Sequence, residues 1–327
     1  GYAGGMLMKA ILCFLAALFL SSCSVSDAGD QTSPTPSLPS PEVPASLLSE
    51  GGGLPVLSVY VLSGNAIEQL DIERYVAGVV AGEMRSDWPM EALRAQAILA
   101  RTFVLKFVSE KESRYPGADI STDIAEAQAY NASAVNDRIE EAVLSTRGMV
   151  LSTADGTLPY AWFHAHSGGV TALAQEGLDW QEAEPDWTIS MRGLDSPAAP
   201  VEAQKWSASF STEAFLAACR KAGGKARSPE PLAIAQKGAS GRAITLSVGG
   251  SEVNAARLRL ALGSTVMRST LLTRLEVKDG RVHMAGRGYG HGVGMPQWGA
   301  YALALDGYPG EDIATHYFQG LRVVCLW

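Results

Sequence analysis

The sequence predicts an α+β fold: a mixed helical and β core with a smaller α/β insertion. Three observations carry this. Two apolar-periodic segments follow each other between residues 71 and 108, strand-like runs lie on both sides of them, and the chain changes to short alternating segments beyond Val201. Val56 to Leu62 reads as the first strand. Asp71 to Met84 has helical spacing, with Ile72, Tyr75, Val76, Val79 and Val80 on one side. Pro89 sits where a second helix starts. In that helix Leu93, Ala97, Ala100, Val104, Phe107 and Val108 form an apolar stripe. A third helix covers Asn136 to Thr146, followed by strand-like runs at Met149–Ser152 and Tyr160–His164. A helix at Thr212–Ala222 precedes strands at Ala243–Val248, Ser251–Asn254 and Leu271–Val277, so residues 201–270 read as a subdomain or insertion. The end holds a Gly-rich turn, a helix from Pro296 to Leu305, and a strand running to Trp327.

Composition narrows the class. The 327 residues are 47% hydrophobic and 18% charged, which fits a globular body and excludes a mostly disordered chain. Net charge is −8 and no Lys/Arg-rich run occurs, so no nucleic-acid partner held through its phosphates is expected. Four cysteines, none in a CxxC pair, are too few for a disulfide scaffold. Cys219 and Cys325 either pair in an oxidising compartment or stay apart.

Residues 1–23 read as an export signal, with a start at Met6 or Met8. Lys9 flanks the apolar run Ala10–Leu20, which is shorter than the roughly 20 residues a bilayer span needs. Leu20-Ser21-Ser22-Cys23 then resembles the lipobox of bacterial lipoproteins. The resemblance implies a lipidated Cys23 that anchors the chain at a membrane of the bacterial cell envelope; the alternative is a plain secretory signal. Residues 24–55 read as a tether, with Pro34, Pro36, Pro39, Pro41, Pro44 and the Gly51–Gly53 run favouring extended chain. The body spans residues 56–327.

Four segments stand out together. The first runs from Leu70 through Gly82-Glu83-Met84 and Trp88-Pro89 to Glu91-Ala92-Leu93-Arg94-Ala95-Gln96-Ala97 and Arg101-Thr102-Phe103. The second is Phe163-His164-Ala165-His166-Ser167-Gly168-Gly169. The third is Gly286-Arg287-Gly288-Tyr289-Gly290-His291-Gly292-Val293-Gly294-Met295-Pro296-Gln297-Trp298-Gly299. The fourth is His316-Tyr317-Phe318-Gln319-Gly320. In order and spacing the set resembles the SpoIID/LytB family of bacterial cell-wall proteins, over nearly the whole body. That resemblance implies a lytic transglycosylase acting on peptidoglycan glycan strands stripped of stem peptides, without a cofactor, and a single catalytic glutamate that maps onto Glu83. The LytB branch carries the label amidase enhancer, which implies a cell-wall amidase as a partner.

The residues support Glu83 independently. Cleaving a glycosidic bond needs an acid to protonate the leaving oxygen. A glutamate serves near neutral pH when burial raises its pKa, and Val79, Val80, Met84 and Trp88 surround Glu83 in sequence. Gly82 is expected to let a sugar approach the backbone. Asp87 either tunes Glu83 or caps the next helix, while Glu73 and Glu91 read as solvated charges.

The expected substrate-binding residues are Gln96, Arg101, His164, Ser167, Gly168, Gly169, Tyr289, His291 and Gln297. Arg101 alternatively pairs with a buried acid, and the Ser167–Gly169 stretch alternatively forms a satisfied turn. His164 and His166 alternate on a strand, as metal ligands can, but no third ligand lies beside them and no metal is assigned. Trp162, Trp298 and Tyr317 are either sugar platforms or core.

Overall fold

The computed structural model describes residues 38–327. The expected signal, Cys23 and the tether up to residue 37 lie outside the described residues. From Pro39 onward the expected tether packs on the body. Arg322 donates to the Pro39 carbonyl, and Leu47 is 2% exposed within the main core.

The fold is α+β. Strands β1 (Val56–Val61) and β2 (Ala66–Asp71) form an antiparallel hairpin. Its last residue caps α1 (Ile72–Glu83): the Asp71 side chain accepts from the Arg74 amide at 2.9 Å. Helix α2 (Met90–Glu110) begins after Pro89, whose lack of an N–H costs nothing at a helix start. Then come β3 (Ile120–Ser121), parallel to β1, α3 (Asp137–Ser145), capped by Asn136, and β4 (Met149–Ser152). Ile72, Tyr75, Val76, Val79 and Val80 of α1 meet Leu93, Ala97, Ile98 and Ala100 of α2 in the main core. The helical spacing read from the sequence is therefore the buried seam.

Short elements follow: β5 (Phe163–His164), α4 (Ala174–Gly177) and α5 (Val201–Gln204). A second core is then built by β6 (Lys205–Ser211), α6 (Thr212–Lys221), β7 (Leu232–Lys237), β8 (Ala243–Val248), β9 (Ser251–Asn254), α7 (Ala255–Leu262), β10 (Leu272–Lys278) and β11 (Arg281–Arg287). Two three-stranded sheets, β10-β11-β6 and β7-β8-β9, enclose Phe215, Cys219, Leu246, Val253, Val282 and Met284. That core extends past residue 270 because β11 is its central strand. The chain returns through β12 (Met295–Pro296), α8 (Gln297–Leu305), α9 (Gly310–His316) and β13 (Arg322–Cys325), which closes on β4.

One pairing positions the site. β12 runs parallel to β5, with Met295 beside Phe163 and Pro296 beside His164. The histidine segment and the Gly-rich segment are thereby joined, and Gln297 is delivered at the first turn of α8.

The cysteine pairing does not occur. Cys219 is fully buried in the second core, Cys325 is exposed on β13, and both are free thiols. Among the described residues no helix is long and apolar enough to cross a membrane.

Candidate functional site

Glu83 is the last residue of α1, and Met84 is already extended. A carboxylate at a helix C-terminus faces the negative end of the helix dipole, which disfavours its charge. Burial acts the same way and is the main reason its pKa lies above the ordinary glutamate value. Two donors oppose the rise. The Ala129 N–H reaches Oε1 at 2.8 Å, and Gln297 Nε2 reaches Oε2 at 3.1 Å. The residue as a whole remains partly exposed and opens onto a groove of about 480 Å³, lined by Gly82, Glu83, Met84, Ser86, Asp87 and Ala134. Its carboxyl is thus walled in yet reachable. Asp87 bonds Arg85 in solvent and does not cap α2.

Gly82 serves a different contact from the one expected. A Cβ there would lie 2.7 Å from both the Ala129 carbonyl carbon and the Tyr130 nitrogen. The bare glycine lets the 129–130 backbone, rather than a sugar, come close, and this brings the Ala129 N–H to Glu83. Gly82→Ala is expected to cost about 1–3 kcal/mol through overpacking, read by denaturant titration. Hydrogen exchange at the Ala129 amide is expected to accelerate as its bond to Glu83 is lost.

Behind Glu83 lie two glutamines. Gln297 is 7% exposed and Gln96 is 0% exposed. Gln297 Nε2 donates to Glu83 and, at 3.4 Å, to Gln96 Oε1. Both expected groove residues therefore stand beneath the carboxyl, and Gln96 has no surface for a ligand.

Arg101 is not at the groove. It is fully buried and forks onto Glu73, with Nε 3.2 Å from each carboxylate oxygen and Nη2 2.5 Å from Oε2. Glu73, read from sequence as solvated, is 5% exposed. Its position in the first turn of α1 gave no sign that α2 lies across it. Glu91 also differs from its reading: it accepts from the Gly310 amide at 2.6 Å and pairs with Arg94.

The remaining residues form a second cluster. A carbonyl can only accept, so the 3.1 Å contact of His164 Nδ1 with Val293 O places the proton on Nδ1. Nε2 is then bare and buried without a partner. Burial first, then the neighbouring His291 and Arg242, hold His164 well below its ordinary pKa. His291 Nδ1 accepts from the Val293 N–H at 3.0 Å, and burial with the Arg259 and Arg242 cations lowers it to about 3. Both rings are neutral at physiological pH.

His166 Nδ1 accepts from the Gly168 amide at 3.0 Å, so its 3.6 Å approach to Asp195 is not an ion pair. Ser167 is fully buried. Its N–H and Oγ both bond Asp195, and its Oγ accepts from the Gly169 N–H. This is the satisfied turn, not a cleft wall. Gly168, at φ 73, packs against the Arg287 backbone, whereas Gly169 is exposed. Tyr289 is partly exposed, with the Arg268 guanidinium 5.1 Å from its ring centre, and its backbone pairs with His166. Among the described residues no three His, Cys, Asp or Glu side chains group as a metal site. Tyr317 is buried and donates to the Gly193 carbonyl, and Trp298 packs on Trp88 and Tyr301. Trp162 stacks on Tyr160, so all three aromatics have protein partners.

Two contributors had no sequence signal. The Ala129 donor is backbone and leaves no residue signature. Arg242, fully buried at the edge of β8, donates to the Ser167 and Val170 carbonyls and so fastens the turn from the second core. Gly292 makes room for it: a Cβ there would meet the guanidinium carbon at 2.4 Å.

Residues 62–152, which hold Glu83, Gln96 and Arg101, match the family model SpoIID, stage II sporulation protein. Over this segment the chain is similar to SpoIID. Residues 190–294 match a separate model, a domain of unknown function (DUF8618), which covers Tyr289 and His291; Gln297 lies in neither. The chain is 28% identical over 290 residues to stage II sporulation protein D of Bacillus subtilis, covering 82% of this chain and 78% of that protein. It is 29% identical over 259 residues to an uncharacterised protein of Brachyspira hyodysenteriae, covering 79% and 68%. With the amidase enhancer of Bacillus subtilis it shares 25% identity over 287 residues, 74% of this chain and 39% of that protein.

Proposed function

We propose that the protein cleaves peptidoglycan glycan strands, stripped of stem peptides, as a lytic transglycosylase with Glu83 as its single acid and base. The observation that carries this reading is one desolvated carboxyl at a groove, held by two donors, while the other carboxylate lining that groove among the described residues, Asp87, is exposed and tied to Arg85. Hydrolases with two carboxylates divide the work between acid and base or nucleophile. A lone carboxyl performs both steps when the substrate supplies its own nucleophile. Protonated Glu83 gives its proton to the glycosidic oxygen as the C1–O bond breaks. The resulting carboxylate then takes the proton of the muramoyl C6 hydroxyl as that oxygen bonds C1. The product is a 1,6-anhydro sugar, no water is consumed, and Glu83 ends protonated. The Ala129 and Gln297 donors steady the carboxylate between the steps.

On this reading the chain works outside the cytoplasm, where its substrate lies, and a lipidated Cys23 ties it to a membrane there. Incubation with stripped strands followed by mass spectrometry is expected to give fragments with anhydromuramoyl ends; fragments with ordinary reducing ends would refute the mechanism. The likeness to a protein named amidase enhancer favours a second reading, a non-catalytic wall binder that stimulates an amidase. That reading predicts binding without any new product, and faster cleavage once an amidase is added.

The first step needs the protonated acid, so cleavage falls as pH rises through the Glu83 pKa. Because that pKa is raised, the alkaline limb of kcat/KM is expected above the ordinary glutamate value of about 4.3. A limb at the ordinary value would show that the carboxyl is solvated during turnover.

A further inference from the structure

Gln96 carries an imbalance. Its side chain is fully buried in α2, its Oε1 accepts from Gln297, and its Nε2 has no partner. A buried donor left unpaired is unfavourable, and an apolar side chain of similar length would remove it. What the amide supplies that methionine cannot is the acceptor. That acceptor meets the same nitrogen, Gln297 Nε2, that donates to Glu83. An amide nitrogen has two hydrogens, and here each has its own acceptor: a carboxylate oxygen on one side and Gln96 Oε1 on the other. With the Gln297 amide turned over and Gln96 unmoved, the Gln297 carbonyl would face Gln96 Oε1 and the ionised Glu83 carboxylate and find no donor from either.

We propose that Gln96 is a positioning residue: from inside the core it fixes the orientation of the Gln297 amide, so that an N–H and not a carbonyl is presented to Glu83. The inference rests on the proposed role of Glu83, but its test does not. The other charged or titratable groups near Glu83 include Tyr75 on α1, Tyr130 next to the Ala129 donor and stacked on Tyr75, the Arg85–Asp87 pair on the groove rim, and Arg138 of α3, which bonds the Ser86 and Trp88 carbonyls. None of them bonds Glu83 or Gln297, so among the described residues Gln297 and the Ala129 amide form its polar contacts. A donor to a carboxylate favours the charged form, and losing it raises the pKa.

The experiment is titration of the Glu83 side-chain carboxyl carbon by NMR in the full chain, assigned by its disappearance in Glu83→Gln. Gln297→Leu is expected to move the midpoint upward. Gln96→Met, which touches neither Glu83 nor solvent, is expected to move it in the same direction. The double variant is expected to move it no further than Gln297→Leu alone, because both changes act through one hydrogen bond. An unchanged midpoint in folded Gln96→Met would overturn the proposal, as would additive shifts in the double variant. Lack of strand cleavage by the parent protein would instead count against the transglycosylase reading and leave the titration intact. If the protein cleaves strands, Gln96→Met is expected to lower kcat with little change in KM.

Discussion

Glu83→Gln is expected to abolish release of anhydro-ended fragments while leaving strand binding intact. The amide keeps the size of the side chain but has no proton to give to a leaving oxygen and takes none from a hydroxyl. General acid–base catalysis by one group contributes about 10²–10⁴-fold, and here one group serves both steps, so the loss is expected at or beyond the upper end. Product mass spectrometry reads the cleavage, and co-sedimentation with stripped strands reads the binding. Parent-like turnover would sink the assignment of Glu83. The same substitution has an expected effect on how stability depends on pH. Burial raises the pKa of Glu83 in the folded chain. A carboxyl raised in this way favours folding below its unfolded pKa, and this contribution is lost as pH rises through the folded pKa. At neutral pH the parent therefore carries an unfavourable buried charge that Gln removes. Gln also sets its amide nitrogen against one of the two donors, at a cost that does not vary with pH, so the melting point of Glu83→Gln relative to the parent is expected to be highest near neutral pH and to fall as pH falls toward the ordinary glutamate range. A gap independent of pH would show that the carboxyl is not desolvated.

The two long helices were legible because their apolar positions repeat at 3.6 residues and both are flanked by capping or proline signals, Asp71 for α1 and Pro89 for α2. Elements with little amphipathic contrast were not. Strand β2 exposes four of its six residues and is held by the hairpin ladder rather than by a buried face. Strand β7 buries none of its residues. In the site, Glu83 was singled out by the family resemblance, with its apolar sequence neighbours Val79, Val80, Met84 and Trp88 in support. What each polar neighbour does was not legible. Gln96 and Arg101 sit five residues apart on α2 and look alike as candidates. One faces Gln297 and the other faces Glu73, and only the packing of α1 and α8 against α2 decides which. The Ser167 turn shows the same limit: its partner Asp195 lies 28 residues away, in a loop with no pattern of its own.

Arg101→Met is expected to be among the most destabilising single changes in the chain, and to act without touching catalysis. The guanidinium bonds the Glu73 carboxylate, and its Nη1 donates to the Met149 carbonyl at 2.9 Å. Glu73 Oε1 in turn accepts from the Gly148 amide at 3.1 Å and from Trp327 Nε1 at 3.0 Å. One ion pair thus fastens α1 and α2 to the start of β4 and to the last residue of the chain. Methionine fills the volume but leaves the carboxylate buried without its cation. Breaking a buried pair from one side costs about 3–5 kcal/mol, mostly because the remaining charge is uncompensated. The companion change should therefore restore part of the loss. Glu73→Gln/Arg101→Met, with no charge left to bury, is expected to be more stable than Arg101→Met alone, as read by denaturant midpoints. A substrate-binding arginine predicts a different pattern: little loss of stability, a raised KM, and no rescue from position 73. The structure favours the first outcome because no atom of Arg101 is exposed, and a ligand cannot reach it without opening the seam between the two long helices.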